Sequence, residues 1–441
     1  MSASGPPRAL PSPTFCIIPW VHAFGDERGR LRPCCMTLGD TERVLENTDP
    51  AGRPLTVYDP GSLEAGWNTP FMRTLRRDML EGRRPPVCRR CFEEEDLHIR
   101  SYRQDSNETF EAHIDRAVAA TAPDGSAPID LVCSADFRLG NACNLKCRMC
   151  SPISTKLLIP EWQQLFDVPD GHPELEALRA VDWFDGDAFW ANCQARLPTL
   201  ERLHFAGGEP MIITRMLDFL QQAIDEGHAH HIQLSYVTNL TTLPERVTAL
   251  WPAFKGVTLT ASLDGHAPVN SFIRYPSKWD RIDAHLARLQ RDPAAFNCTK
   301  VTVNTTVQAY NVLSLTELFE YLFTRHAPHV VVYPRLTLLT WPSCFSVQVL
   351  PPALKALAAA RLRTFVARWE GRWPDTSGEL DRFRQAIDGV IAHMEAADRT
   401  AELAEFARRT AVYDRSRGQQ ARVTLPDLAP ALDLAASATV D

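Results

Sequence analysis

The sequence predicts an α/β fold. It reads as an open, partial (β/α)6 barrel, preceded by a small Cys-rich α+β domain and followed by a helical extension. Three observations carry this. Between residue 129 and about residue 336, short β-rich runs alternate with amphipathic stretches of helical length, the pattern of βαβ units around a parallel sheet. Before them, residues 15–103 hold five cysteines among many turn residues. After them, residues 351–409 keep a helical pattern.

Taken in order, residues 1–14 are rich in Pro, Ser and Ala and are expected to be flexible. Residues 15–115 form the cysteine-bearing domain, and 116–128 read as a linker, with Pro-Asp-Gly-Ser near its end. The barrel is assigned to 129–345. Its strands are expected at 129–137, 203–206, 232–237, 257–262, 300–307 and 330–333. Six such units are too few for a full eight-fold barrel, so the barrel stays open. Residues 346–441 make the extension, and 417–441, without aromatics, read as a loosely held tail.

A chain of 441 residues exceeds one ordinary core and calls for two or three domains. A net charge of −7 offers no basic field for nucleic acid or an anionic membrane. No apolar run reaches transmembrane length, and the first residues lack the apolar segment of a secretion signal. Twelve cysteines in that setting are expected to serve metal or redox chemistry in a reducing cytoplasm.

The chemistry centres on Cys143-Asn-Leu-Lys-Cys147-Arg-Met-Cys150, directly after the first expected barrel strand. Thiolates at short spacings in one loop suit an iron–sulfur cluster or zinc. A closed structural site takes four protein ligands. Three from one loop leave a metal position open to a substrate.

One βα unit later comes Gly207-Gly208-Glu209-Pro210, where two glycines allow close backbone approach and a carboxylate suits an ammonium. CxxxCxxC followed by GGEP resembles the radical S-adenosylmethionine (SAM) enzymes. The resemblance implies that Cys143, Cys147 and Cys150 hold three irons of a 4Fe–4S cluster whose fourth iron chelates SAM. It implies that the GGEP backbone and Glu209 bind the SAM amino group, and that Asn239, Ser262 and Asp264, at the ends of the third and fourth strands, contact its ribose and methionyl parts. Arg274 resembles the arginine that pairs with the SAM carboxylate. The residue before the third cysteine is often aromatic in that family; here it is Met149, still able to cover a purine. The implied chemistry is reductive SAM cleavage to a 5′-deoxyadenosyl radical that abstracts hydrogen from a substrate.

The N-terminal cysteines, Cys16, Cys34, Cys35, Cys88 and Cys91, resemble a twitch domain, the short relative of the SPASM module, here ahead of the barrel. The CxxC at Cys88 and Cys91 supplies two ligands. Cys16 and either Cys34 or Cys35 complete four, with Cys35 favoured. The implied centre is an auxiliary iron–sulfur cluster of the 4Fe–4S kind; structural zinc is the alternative. The run Arg73, Arg76, Arg77, Arg83, Arg84, Arg89, Arg90 is either a solvated face or a grip for an anion. Cys133 is expected in the core, Cys193 and Cys298 have no neighbouring cysteine in sequence, and Cys344 follows the last strand, where a hydrogen-donating thiol is conceivable.

The expected activity is that of an oxidoreductase modifying a peptide or protein side chain, reduced by a flavodoxin- or ferredoxin-type donor. The same chemistry on a sugar, nucleotide or other small metabolite, as dehydrogenation or epimerisation, is the second possibility. A non-catalytic iron–sulfur or zinc protein is the third.

Overall fold

The computed structural model describes residues 9–37, 47–96, 100–325, 334–372 and 379–437. The strands are β1 (His22–Gly25), β2 (Leu31–Arg32), β3 (Ser134–Arg138), β4 (Lys146–Cys147), β5 (Arg202–Ala206), β6 (Gln233–Thr238), β7 (Gly256–Ser262), β8 (Arg274–Tyr275), β9 (Cys298–Val307) and β10 (Arg335–Leu338). The helices that matter for the sites are α1 (Pro70–Leu80), α2 (Arg89–Asp96), α3 (Tyr102–Thr109), α4 (Ile114–Ala119), α5 (Ile159–Phe166), α6 (Thr214–Asp225), α7 (Trp279–Arg291), α8 (Leu315–Arg325), α9 (Pro352–Trp369), α10 (Glu379–Ala396), α11 (Leu403–Arg417) and α12 (Ala429–Ser437). The fold is α/β. The expected strand at 330–333 lies outside the described residues; β10 begins just after it.

The chain forms two compact units. The first combines 1–140, 182–207 and 214–233; the second combines 141–181, 208–213 and 234–441. In the first, the strand order is β2-β1-β3-β5, with β1 antiparallel to β2 and parallel to β3, and β3 parallel to β5. Leu203 and Phe205 of β5 are buried while Arg202 is exposed, the period-two pattern of a half-covered strand. The expected first barrel strand starts late, because residues Ile129–Leu131 make a 3-10 turn before β3.

The cysteine-rich region is therefore not a separate domain. Its strand β1 pairs with β3 in register from His22↔Ser134 to Gly25↔Phe137. Phe15, Ile17, Ile18 and Trp20 share one core with Met72, Leu75 and Met79 of α1 and with Phe110, Ile114 and Ala117. The expected linker is packed as well. Ala117 and Ala127 are buried, Asp124 pairs with Arg73 at 2.8 Å, and the Asn68 amide and Ala127 backbone exchange two hydrogen bonds of 3.0 Å. The basic run is a paired surface rather than one patch: Arg83 meets Asp78, Arg84 meets Asp96, Arg89 meets Glu93 and Arg90 meets Glu94. Arg76 departs from it. It is fully buried, donates to Pro19 O at 2.9 Å and lies over the Trp67 ring.

In the second unit the order is β6-β7-β9-β10, with β7 parallel to β9 and β9 parallel to β10. Helices α7, α8 and α9 follow β7, β9 and β10. Ile282, Leu286 and Leu289 put the apolar stripe of α7 into the core at helical spacing. Residues 417–437 of the segment expected to be a loose tail are packed: Leu428 and Ala431 are buried, α12 packs against α11, and Asp427 pairs with Arg361 at 2.5 Å; 438–441 lie outside the described residues. Ala- and Leu-rich sequence without aromatics still makes a good helical face when a partner helix covers it.

Candidate functional site

In the second unit the cysteine loop is anchored by a two-residue ladder. β4 runs antiparallel to β8, with Cys147 opposite Arg274 and Lys146 opposite Tyr275. The Arg148 N–H donates to Ile273 O at 2.8 Å and continues the ladder. Arg274, 127 residues away in sequence, is thus set directly against the middle cysteine, and its Nη1 lies 3.9 Å from Cys147 Sγ.

The three thiols are near enough to act on one another. Cys150 donates toward Cys147, and this hydrogen bond, with the nearby Arg274 charge, holds the Cys147 thiol below its usual range despite burial. The same bond, with burial, pushes Cys150 up. Burial and then the Cys147 charge push Cys143 up to about 12. Such crowding of thiols is unfavourable for three thiolates alone and is relieved when a cation displaces their protons.

The GGEP turn is built against this loop. A Cβ on Gly208 would stand 2.0 Å from Ala142 O, so only glycine fits. The Glu209 N–H donates to that same Ala142 carbonyl at 2.8 Å. Gly207, which ends its stretch of the first unit, has φ +113° and would clash with Leu139 N at 2.6 Å if it carried a side chain. Pro210 opens the short 3-10 turn Pro210–Ile212.

The Glu209 carboxylate is buried. It accepts the Met211 N–H at 3.2 Å and the Thr238 hydroxyl at 2.8 Å on one oxygen, and the Asn239 N–H at 2.7 Å on the other. Burial dominates and pushes its pKa up to about 7, although all three bonds favour the carboxylate. Two oxygens offer about four lone-pair positions, so one acceptor position remains for an ammonium.

The remaining expected residues are placed as follows. Asn239, just past β6, donates from Nδ2 to Asn144 Oδ1 at 2.8 Å, and Asn144 donates to Thr241 Oγ1 at 2.9 Å. Asn144, inside the cysteine loop, was not singled out by the sequence. Ser262 ends β7 and is largely buried. Asp264 is fully buried and already engaged: one oxygen accepts the Thr306 N–H at 2.8 Å and the other lies 2.7 Å from Arg274 Nε. It orients Arg274. Met149 is buried between Arg148 and Cys150.

In the first unit, Cys16, Cys34, Cys88 and Cys91 come together from the N-terminal segment, the turn before Cys35–Thr37, the turn Pro86–Cys88 and α2. Burial raises all four thiols; Cys34 also feels Cys35, then Cys88 and Cys16, and Cys88 feels Cys16 and Cys91. Cys16 is pushed up to about 12, with Cys91 among the causes. Cys35 is different. After burial its main neighbours are Asp136 and Arg138, which leave it at about 11. Cys133 lies in the core beside His113, 3.8 Å from its Nε2, and His113 pairs with Glu201 at 3.2 Å. Cys344 is buried with Arg409 and Glu405 among its charged neighbours.

No helix among the described residues is long and apolar enough to cross a membrane. No family model matches the chain, and no curated protein matches it. Solved structures do overlap with it loosely. Native anSMEcpe with bound AdoMet and Cp18Cys peptide shares 12% identity over 54% of this chain, with a TM-score of 0.33. Streptococcus suis SuiB bound to S-adenosylmethionine shares 13% over 58% of this chain, with a TM-score of 0.28. The chain spans 59% of the first of these and 53% of the second. At such scores the likeness carries no functional weight, which falls to the chain's own residues.

Proposed function

We propose that the chain is a radical SAM enzyme that modifies a peptide or protein side chain. Cys143, Cys147 and Cys150 would hold a 4Fe–4S cluster, with SAM on its open iron. When bound, that group supplies the electron that cleaves the SAM sulfonium. The observation that carries the proposal is geometric: Arg274 stands opposite Cys147 with its Nη1 3.9 Å from the sulfur, and the GGEP backbone is seated against Ala142 of the same cysteine loop.

The chain's own residues have definite tasks. The spare acceptor position on Glu209 takes the SAM ammonium. Arg274, oriented by Asp264, brings a buried cation beside the cysteines and the place of a carboxylate. Asn239 and Ser262, at the C-terminal ends of neighbouring strands, face the side of the sheet where α/β barrels do their chemistry. Thr238 and the Asn239 N–H keep Glu209 in place.

In the first unit, Cys16, Cys34, Cys88 and Cys91 are the proposed ligands of an auxiliary iron–sulfur cluster. Four thiolates close such a site, which suits electron transfer. Cys34 is preferred here over Cys35 as the fourth ligand, because Cys34 and Cys88 pack against the core that contains Cys16, whereas the leading charged neighbours of Cys35 are Asp136 and Arg138. The peptide substrate follows from the resemblance of this region to twitch and SPASM modules, and the electron is assigned to a flavodoxin- or ferredoxin-type donor.

The test is reductive cleavage. Anaerobically reconstituted protein with SAM and dithionite should release 5′-deoxyadenosine. Cys147→Ala should release none above background, since two thiolates cannot hold the cluster in register. Wild-type rates from that variant would remove the assignment.

A further inference from the structure

We propose that α11 is a latch for the cysteine loop, with Asp414 and Arg417 as positioning residues for Cys147. The proposal deepens the assignment of Cys143, Cys147 and Cys150 as a cluster site. It gives a task to the C-terminal extension, which carries no motif of its own.

Cys147 lies between two cations, Lys146 and Arg148, and both are tied to α11. Arg148 is fully buried. Its Nη2 donates to Asp414 Oδ1 at 2.5 Å and to Gln419 Oε1 at 3.0 Å, and its Nε donates to Phe272 O at 3.1 Å. Its guanidinium lies 3.6 Å from the centre of the Phe272 ring. On the other side, Lys146 Nζ donates to Glu161 Oε1 at 3.0 Å. Glu161, on α5, receives Arg417 in a fork, Nε at 3.0 Å and Nη2 at 2.8 Å, with the Ser416 hydroxyl at 2.6 Å. Asp414 and Arg417 are three apart on one helix and so share a face.

The helix end is itself fixed. α11 stops at Gly418, whose φ of +62° suits glycine, and the Gln419 N–H returns to Asp414 O at 3.0 Å. The second oxygen of Asp414 accepts the Ala421 N–H at 2.7 Å. Buried ion pairs are costly to desolvate and hold only when their geometry is complete. Here both carboxylates are engaged on both oxygens across as many as 266 residues of sequence, while Arg148 and Arg417 each keep one buried Nη1 without a hydrogen-bond partner. The β4–β8 ladder has two residues per strand, too short to hold a loop alone. The latch grips the side chains on both flanks of Cys147 and so removes conformational freedom that metal binding would otherwise have to remove.

The test begins with metal-free, full-length protein, so that it does not depend on the cluster. The rate of alkylation of Cys147 by iodoacetamide is followed by peptide mass spectrometry. Asp414→Asn/Arg417→Gln should speed it by about tenfold or more, because local opening controls a buried thiol. Cys133 and Cys193, buried in the other unit and outside both proposed ligand sets, should keep their rates and report that the chain is still folded. Arg417→Lys, which keeps a cation on Glu161, should restore most of the protection. After iron loading, the double variant should show a shifted electron paramagnetic resonance signal and a raised KM for SAM with a smaller change in kcat. If the double variant fails to fold, Asp414→Asn alone decides, since it keeps the shape; an unchanged Cys147 rate overturns the latch. Faster alkylation with an unchanged resonance signal also overturns it, because the metal would then order the loop unaided. Faster alkylation in a protein whose wild type takes up no iron leaves the latch standing and removes the cluster assignment.

Discussion

The two cysteine sets are built in opposite ways. In the second unit, one loop supplies Cys143, Cys147 and Cys150, and Arg274 stands opposite the middle thiol. Of these, Cys147 is held below its usual range. In the first unit, four thiols are gathered from segments up to 75 residues apart in numbering, Cys16 to Cys91, and burial raises every one. The cation that acts on Cys16, Cys88 and Cys91, Arg103, is itself paired with Glu95 at 2.5 Å. A short-range set with an added cation and a free coordination position suits binding a charged ligand. A long-range set of four suits a closed centre that also staples a small core.

The largest separation between them should come from removing ligands. Cys88→Ala/Cys91→Ala should lower bound iron by about four per chain while the signal of the other cluster persists. Cys147→Ala should do the reverse, abolishing 5′-deoxyadenosine release and sparing the first unit's iron. Unchanged iron with loss of one zinc in the Cys88→Ala/Cys91→Ala protein would make the first unit's centre structural zinc.

A second comparison lies within the first unit. Cys34→Ser should lose the metal there, whereas Cys35→Ser should retain it, read by iron analysis of matched preparations. Equal loss in both would return the choice of fourth ligand to an open state.

Gly208→Ala tests the contact between GGEP and the cysteine loop. The new methyl would meet a backbone carbonyl at 2.0 Å, so the loop itself must move. The expected cost is about 1–3 kcal/mol in denaturant unfolding, with loss of SAM cleavage. The exposed Gly389→Ala, where a Cβ meets nothing within 4 Å and φ is not positive, is the control without the steric clash and should not destabilise.

The last contrast is the pH dependence that His22 gives the first unit. Burial holds His22 at about 4, against an ordinary 6.5, and its Nδ1 is 3.0 Å from Ser134 Oγ. A histidine whose folded pKa is depressed contributes its stability above the unfolded pKa and loses it as pH falls. Between pH 6.5 and 4, His22 should therefore withdraw up to roughly 3 kcal/mol. His22→Gln should flatten that part of the unfolding-against-pH curve; an unchanged slope would assign it to other groups.

By itself, the sequence determined the local chemistry. CxxxCxxC and GGEP are contiguous, and their glycines and thiols mean the same thing wherever the chain goes. The strands at 202–206, 233–238, 256–262 and 298–307 were legible because alternation of apolar residues is also local. Tertiary structure decided what depends on partners far along the chain. It placed Arg274 against Cys147, engaged Asp264 with Arg274 and packed Cys34 and Cys88 against the core that contains Cys16. It also packed the expected linker and tail, and tied Arg148 to Asp414. Turn-rich or polar sequence reads as loose because its own propensity is weak; burial against a distant surface overrides that propensity, and no local pattern announces which surface it will be.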